Sequence, residues 1–269
     1  MKSMKCAVAF GEFDGVHIGH RAVIKKLTEF EKSIVISFSS EDEDVIYCEE
    51  EKSLIMHQLG VGSMMSFKKE KSFDLGNFVK NFLVEMGADA VVCGQNYKDL
   101  KTLETLCSET GLELVVVPEV MGVSSEKIKE LIRTQGKLDE ALKLLGGQYI
   151  LSGIVVHGKG VGRKVGMPTA NLRMNANKIL PAFGVYGSAV LLDEGVFKGM
   201  TNIGLRPSDD DSRIPTVETY ILNFDKDIYG EVLTLDLFEY VRPVKKFKSL
   251  EDVKAQVDKD ILQVQSFAF

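Results

Sequence analysis

The regular alternation of apolar runs with amphipathic stretches constrains the fold of the first part of the chain. Short apolar runs, typical of strands, lie at 5–10, 33–38, 61–67, 88–93 and 112–117. Amphipathic stretches, typical of helices, lie at about 19–32, 49–59, 73–86 and 99–110, and two more near 124–134 and 137–145. Strands separated by helices of this length predict a parallel, doubly wound sheet.

The pattern changes after Gly147, where long helical stretches give way to short alternating runs. These runs are separated by Gly, Pro or Asp and lie within 149–158, 186–192, 197–204, 215–224 and 231–241. They predict an antiparallel barrel or sandwich. A final helix is expected at about 249–264, with Ser249 and Asp252 in capping-box spacing. The fold class is therefore α/β plus β, with one domain at 1–147 and a second at 148–269.

Composition excludes several classes of function. No apolar run approaches the ~18 residues of a membrane span, and acidic residues come too early for a secretory signal. The net charge of −6 does not suit a general binder of nucleic acid or of anionic membranes. The four cysteines form no CxxC pair and fit no zinc spacing with the four histidines. We therefore expect a cytoplasmic protein with reduced thiols and without nucleic-acid or membrane partners.

The first candidate site is the segment AFGEFDGVHIGHR at 9–21, which follows a predicted strand and opens a helix. Gly11 and Gly15 allow tight turns and close approach to a ligand. Amide groups at a helix start bind phosphate, and His17 and His20 share one face of the first turn. The combination favours a nucleotide triphosphate site, although one histidine could instead simply cap the helix.

This segment closely resembles the HxGH motif of nucleotidylyltransferases. In detail it is similar to the N-terminal module of the prokaryotic bifunctional riboflavin kinase/FMN adenylyltransferases, the FAD synthases. The resemblance implies a Rossmann-like domain that transfers AMP from ATP to FMN and releases pyrophosphate. It also implies that His17 and His20 contact the ATP phosphates, while Phe13, Asp14 and Gly15 shape the pocket.

Other segments of this module match the family only in part. Gly94, Gln95, Asn96 and Tyr97 match the start of the motif G-x-(N/D)-F-x-F-G, but SFSSEDED stands where a PHP-like segment is usual. In the SST-R-I-R segment both arginines are lysines here, and lysine offers a point charge rather than a bidentate fork. The resemblance adds to the ATP-binding set Asn96, Ser124, Ser125, Lys127 and Lys129, beside Gly11. Glu126 and the acidic run at 41–51, with seven carboxylates in eleven positions, would weaken phosphate binding if they face the pocket.

The second candidate site is the segment SGIVVHGKGVGRKVGMPTANL at 152–172. Its glycines allow backbone amides to approach phosphates, and its basic residues supply charge, although the order is not that of a Walker A loop. Thr169 and Asn171 carry hard oxygen ligands suited to Mg²⁺. Taken separately, the glycine loop could be a flexible hairpin and Thr-Ala-Asn a turn.

Together these residues closely resemble the riboflavin kinase signature, and further matches follow at 184–187, 202–207, 217–222 and 227–230. The resemblance implies a six-stranded antiparallel β-barrel with a C-terminal helix, which transfers the γ-phosphoryl of ATP to the 5′-hydroxyl of riboflavin. It makes Glu218 the base for that hydroxyl and Thr169 and Asn171 the Mg²⁺ ligands. It assigns to the flap over ATP Gly158, Lys159, Gly160, Gly162 and Arg163. The flavin contacts taken from it are Asn202 and Tyr186, although the sequence does not choose Tyr186 over the other aromatic candidates Phe183, Phe224, Tyr229 and Phe238, which could all equally pack in the core.

The leading hypothesis is a bifunctional enzyme that uses ATP to convert riboflavin to FMN and FMN to FAD. A second hypothesis keeps the kinase but makes the N-terminal half a non-catalytic nucleotide-binding or regulatory module. A third is a flavin-binding sensor without turnover. The intact residues Thr169, Asn171 and Glu218 argue against the sensor, since a binder needs no proton acceptor.

Overall fold

A computed structural model describes the chain at residues 5–39, 43–68, 73–158, 162, 166–205, 215–245 and 247–267. The chain divides into two compact units. The first comprises Met1–Ile128 and Leu144–Gly146, and the second comprises Lys129–Lys143 and Gly147–Phe269. Each unit has its own sheet, and the predicted α/β plus β fold class is confirmed.

The first unit is built on a five-stranded parallel sheet with the order β3-β2-β1-β4-β5. Its strands are β1 (Cys6–Gly11), β2 (Lys32–Ser39), β3 (Ser63–Lys68), β4 (Ala90–Gly94) and β5 (Glu113–Val117). The helices that precede Gly147 in the chain are α1 (Ile18–Leu27), α2 (Glu49–Gln58), α3 (Leu75–Asn77) continuing as a π-helical segment (Phe78–Leu83), α4 (Leu100–Thr110), α5 (Ser125–Arg133) and α6 (Leu138–Leu145). From β1 the chain adds β2 and β3 on one side of the sheet and then β4 and β5 on the other, so the topological switch point lies between β1 and β4. Ligands of such sheets bind at the carboxyl ends of the strands beside the switch point.

The core of the first unit explains why its strands read as continuous apolar runs. β1 is buried on both faces, as is usual for a parallel sheet covered by helices. One face packs Val8, Ile36 and Val91 against Leu83 and Leu103. All four cysteines are free and buried, and a buried free cysteine packs as a small apolar residue.

The second unit is a closed antiparallel barrel with the strand order β10-β7-β6-β11-β8-β9. Its strands are β6 (Tyr149–Val156), β7 (Thr169–Met174), β8 (Gly184–Leu192), β9 (Gly195–Leu205), β10 (Pro215–Ile221) and β11 (Val232–Arg242), and helix α7 (Leu250–Ser266) follows. The Ser249 hydroxyl caps α7 by accepting from the Asp252 amide. Arg242 of β11 forms a buried ion pair with Asp260 of α7, with Nη2 and Oδ2 2.6 Å apart. The predicted six-stranded barrel and C-terminal helix are both confirmed.

Three elements differ from the prediction. α1 ends at Leu27 rather than at 32, because β2 already begins at Lys32. The predicted helix 73–86 winds largely as the π-helical segment. β7 was not among the predicted strands, since its sequence TANLRM has few β-branched residues, yet it pairs with both β6 and β10. The signature residues Thr169 and Asn171 therefore lie on a strand and not in a turn.

Candidate active sites

The loop between β1 and α1 is a strained turn at the carboxyl edge of the parallel sheet. Phe13, Gly15 and Val16 have φ values of 47°, 84° and 39°, and a left-handed conformation is rare for a β-branched residue. The loop is closed by the Val16 amide, which donates to the Phe13 carbonyl at 3.0 Å. Arg21 Nε donates to the Val16 carbonyl at 3.0 Å and to the Leu145 carbonyl at 2.8 Å. Strain held in place by several contacts is typical of functional loops.

The two predicted histidines of the first site lie against each other. His17 is the N-cap of α1, and its Nδ1 accepts from the His20 amide at 3.4 Å. The imidazole rings stack with centroids 3.7 Å apart and an interplanar angle of 14°, and Phe13 meets His20 edge-on at 5.3 Å. A Cβ atom at Gly19 would lie 3.1 Å from His17 Cε1, which explains the glycine between them. His17 thus caps the helix and also pairs with His20.

Burial favours the neutral form of both imidazoles. Desolvation lowers the pKa of His17, and the nearby carboxylates of Asp14 and Glu126 partly oppose this effect. The pKa of His20 is lowered further, first by desolvation and then by the charges of His17 and Lys52. Within the described part of the chain, His20 Nδ1 is buried without a hydrogen-bond partner. An anion that entered this site would favour the protonated imidazoles, so the pair is suited to phosphate.

The loop is also tied to the elements around it. Asp14 Oδ1 accepts from the Ile46 amide at 2.8 Å, and Ser125 Oγ donates to the Asp14 carbonyl at 2.9 Å. A Cβ atom at Gly15 would lie 2.8 Å from Ile46 Cδ1, so this side chain packs directly on the loop. Within the acidic run at 41–51, Ile46 therefore packs on the first site, whereas Glu43 is exposed to solvent.

Lys52 is a functional candidate that sequence reasoning missed. Its side chain is buried, with 2% of the residue exposed. Its Nζ lies 2.6 Å from Glu49 Oε1 and donates to the Glu12 carbonyl at 3.0 Å and to Ser37 Oγ at 3.1 Å. In the sequence EEEK this lysine looks like part of a solvated helix start, so no local signal pointed to its burial.

The remaining predicted residues of the first site occupy separate positions around this loop. Gly11 ends β1, and a Cβ atom there would touch the Phe13 ring at 3.6 Å. Asn96 is exposed in the turn after β4. Lys127 is exposed on α5, where its amide donates to Ser124 Oγ at 3.2 Å and its Nζ to the Gly122 carbonyl at 2.9 Å. Of the α5 residues, Ser125 contacts the loop, and Lys129 belongs to the second unit.

An aromatic cluster at the same sheet edge was not predicted either. It consists of side chains from the ends of β1 and β2, the turn after β4 and the π-helical segment with the residues before it, namely Phe10, Phe38, Phe73, Phe78, Phe82 and Tyr97. Phe73 is 37% exposed and meets Phe38 edge-on at 4.9 Å. Burial raises the pKa of Tyr97 to about 12. Short π-helical segments occur frequently at functional sites.

The second site is a row of directly paired residues on three neighbouring strands of the barrel wall, and we call this row the rung. Glu218 of β10 pairs directly with Asn171 of β7 on one side and with Asn202 of β9 on the other. Directly paired residues project from the same face of a sheet. Thr169 lies two residues before Asn171 and therefore shares this face. The register thus brings together four predicted residues: the base, both metal ligands and one flavin contact.

Two glycines of the predicted flap lie close to this rung. A Cβ atom at Gly158 would lie 2.4 Å from Asn171 Nδ2, and one at Gly162 would lie 2.2 Å from the Met167 carbonyl oxygen. The Met167 amide donates back to the Gly162 carbonyl at 2.9 Å. The backbone therefore approaches closely where side chains are excluded. Three other predicted flap residues lie outside the described residues, namely Lys159, Gly160 and Arg163.

Tyr186 and Asn202 lie on opposite faces of the barrel wall. Asn202 pairs with Val185, whereas Tyr186 pairs with Thr201 in the barrel interior. Tyr186 is 2% exposed, and its hydroxyl donates to the Ala182 carbonyl at 2.5 Å. Behind the rung, buried hydroxyls of three strands form a hydrogen-bonded chain, with 2.8 Å and 2.9 Å between the oxygens of Ser188, Thr201 and Thr219. This chain stabilises the register that places Asn202 beside Glu218.

Fold and sites together define a two-part nucleotide-dependent transferase, with a doubly wound α/β unit followed by a closed six-stranded barrel. The FAD synthetase family model matches residues 1–131, and the riboflavin kinase family model matches residues 145–268. The chain belongs to the bifunctional riboflavin kinase/FMN adenylyltransferase family.

Two curated relatives are named for both of these family matches. A bifunctional riboflavin kinase/FMN adenylyltransferase of Listeria monocytogenes is 32% identical over 97% of this chain and 91% of its own length. The protein of the same name from Bacillus subtilis is 28% identical over 95% of this chain and 90% of its own length.

A solved structure shares the whole fold. The crystal structure described as a macrolide-efflux protein from Streptococcus pneumoniae superposes with a TM-score of 0.84 and 26% sequence identity. The match covers 100% of this chain and 96% of that chain. In the described part of our chain, every helix is too short or too polar to cross a membrane.

Proposed function

We propose that the barrel phosphorylates riboflavin to FMN and that the α/β unit adenylylates FMN to FAD, with ATP as the co-substrate of both reactions. The observation that carries the kinase assignment is the rung in which Glu218 lies between Asn171 and Asn202. The observation that carries the adenylyltransferase assignment is the stacked pair of His17 and His20 at a helix start. We assign the two activities to domains 1–147 and 148–269, and the two family matches support this division.

In the barrel, Glu218 is the proposed base. Its carboxylate accepts the proton of the riboflavin 5′-hydroxyl as that oxygen bonds to the γ-phosphorus, while the bond to the β-phosphate oxygen breaks and ADP leaves. Phosphoryl transfer depends chiefly on such positioning and on neutralising charge. Asn202 would bind the flavin from the neighbouring strand, and Tyr186 would support the wall from inside. The flap glycines Gly158, Gly160 and Gly162 would present backbone amides to the phosphates, with Lys159 and Arg163 supplying positive charge.

The residues of the rung fit Mg²⁺. Thr169 and Asn171 present a hydroxyl and an amide oxygen on the same face as the Glu218 carboxylate, and hard oxygen donors are what this ion prefers. Asn171 is oriented by its own Nδ2, which donates to the Thr169 carbonyl at 3.4 Å. We propose that these two residues hold the ion, which would neutralise the phosphate charge of ATP.

In the α/β unit, His17 and His20 are proposed to hold the phosphates of ATP that leave as pyrophosphate. A phosphate oxygen of FMN bonds to the α-phosphorus as the bond to the β-phosphate oxygen breaks. Gly11, Phe13, Asp14 and Gly15 form the strained loop that keeps both imidazoles in place. Further ATP contacts of the same unit are proposed for Asn96, Ser124, Ser125 and Lys127.

The isoalloxazine ring of FMN needs an apolar surface beside the first site. The half-exposed ring of Phe73, supported by Phe38 and Phe78, offers one at the sheet edge to which the β1–α1 loop also belongs. Aromatic rings of this kind stack readily on flat ligands. We propose this cluster as the flavin-binding surface of the adenylyltransferase site.

We place the protein in the cytoplasm, where ATP is available and its four buried thiols stay reduced. The proposed partners are riboflavin, FMN and ATP. The net charge of −6 gives no reason to add a nucleic acid or a membrane.

The test separates flavins by chromatography after incubation with ATP and Mg²⁺. Glu218→Gln should form no FMN from riboflavin but should still form FAD from added FMN. The double variant of His17→Ala and His20→Ala should show the reverse, accumulating FMN without FAD. Loss of both activities in either folded variant would contradict the assignment of two separate sites. FMN without FAD from the native protein would favour a non-catalytic N-terminal module.

A further inference from the structure

A buried charged network lies directly behind the β1–α1 loop. Lys52 of α2 is 2% exposed, and its ammonium group contacts Glu49, the Glu12 carbonyl and Ser37. Glu49 in turn accepts from Ser66 Oγ at 2.6 Å through its other oxygen. The network therefore joins α2 to the ends of β2 and β3 and to the first residue after β1.

The contact with Glu12 has a consequence for the histidines. Glu12 directly precedes Phe13, the first residue of the loop with a positive φ. Phe13 meets the His20 ring edge-on, and its carbonyl closes the turn before His17. A buried ammonium group that anchors the Glu12 carbonyl therefore fixes one end of the loop, while Arg21 fixes the other at Val16.

Burying a lysine is expensive unless its charge is paired and its donors are satisfied. Three acceptors satisfy the three donors of Lys52, which explains how the fold tolerates it. An apolar residue at this position would avoid the cost of desolvation, but it would leave the Glu12 carbonyl without this donor.

We propose that Lys52 is a positioning residue for adenylyl transfer, which holds the β1–α1 loop, and with it His17 and His20, in the geometry that binds ATP. This inference rests on the proposed adenylyltransferase function. Its charge has a second effect, since it disfavours the imidazolium form of His20. The other charged or titratable group acting on His20 is His17, and His17 itself faces Asp14 and Glu126.

The experiment compares Lys52→Met with Glu49→Gln, and with Lys26→Met as a control. Lys26 is an exposed lysine of α1 whose ion pair with Glu29 is at the surface. Three quantities are measured: kcat and KM for FAD formation from FMN, FMN formation by the barrel of the same chain, and the His20 pKa from NMR titration of its imidazole proton.

Lys52→Met should lower kcat for FAD formation on the order of 10²-fold, since a loop displaced by about 1 Å costs that much. FMN formation should not change. The His20 pKa should rise in Lys52→Met, where a positive neighbour is lost, and should fall in Glu49→Gln, where the Lys52 ammonium group loses the carboxylate that offsets its charge. Lys26→Met should match the native protein in all three measurements.

Two results would overturn the proposal. One is a Lys52→Met variant that stays folded and forms FAD with native kcat, because the lysine would then only stabilise the unit. The other is a His20 pKa that does not move in either variant. If Lys52→Met does not fold, Glu49→Gln still tests the proposal through the sign of its pKa change. If the native protein forms no FAD, the proposed function fails, while the NMR titration still tests the link between Lys52 and His20.

Discussion

Replacing Gly158 with alanine tests the kinase site with one methyl group. The new Cβ would lie 2.4 Å from Asn171 Nδ2 and 2.6 Å from its Cγ. Carbon and nitrogen atoms in contact need about 3.5 Å, so the Asn171 amide or the flap must move by about 1 Å. A displacement of that size at a reacting centre costs on the order of 10²-fold in rate. The crowding itself should cost about 1–3 kcal/mol of stability.

The assay is FMN formation from riboflavin at saturating ATP, with the Mg²⁺ dependence recorded, since Asn171 is a proposed ligand of the ion. Gly158→Ala should lower kcat about 10²-fold and raise the Mg²⁺ concentration needed for half-maximal rate. Gly166→Ala is the matched control, because its methyl group would meet nothing within 4 Å and only its φ of 78° is strained. It should lose about 1 kcal/mol of stability and keep its rate. Native kcat in folded Gly158→Ala would refute the proposed role of Asn171.

Three further changes have defined outcomes. Burial raises the pKa of Asp236 from 3.8 to about 6. Because the folded barrel then holds this proton more tightly than the unfolded chain, the free energy of unfolding falls as pH rises from about 4 to 6. In denaturant titrations at pH 7, Asp236→Asn should avoid this loss and be up to about 3 kcal/mol more stable than the native protein. Arg242→Met should destabilise the barrel by about 3–5 kcal/mol in thermal unfolding, because it leaves the Asp260 carboxylate buried without its guanidinium; a loss below 1 kcal/mol would contradict this. Gly19→Ala should crowd the His17 ring, where Cβ would lie 3.1 Å from Cε1, and should raise KM for ATP in FAD formation alone.

The sequence predicted the elements that depend on local pattern. The five parallel strands were located correctly, because hydrophobic periodicity is a local signal. Short motifs are local signals too, and they are what pointed to His17, His20 and the glycines before Thr169. The strand β7 was missed because its pairing with β6 and β10 compensates for a weak strand sequence.

The rest depended on register and on tertiary burial. Tyr186 and Asn202 were both predicted as flavin contacts, but Tyr186 pairs with Thr201 and Asn202 with Val185, so their side chains project from opposite faces of the wall. This pairing involves two strands together and is not visible in either segment alone. The burial of Lys52 depends on acceptors at positions 12, 37 and 49, which are distant in sequence from one another. The aromatic cluster gathers residues from four segments, and their spacing alone resembled ordinary core packing.

The most direct test of the account follows the α- and γ-phosphates of ATP into the flavin products. The native protein is incubated with riboflavin, Mg²⁺ and ATP that is labelled at the α- or the γ-phosphate, and the flavins are separated. The account predicts γ-label in FMN, and both α- and γ-label in FAD, since the kinase supplies one phosphate and the adenylyltransferase supplies AMP. FMN that carries γ-label, with no α-label in any flavin, would contradict adenylyl transfer by the first unit. Flavin without γ-label would contradict the kinase.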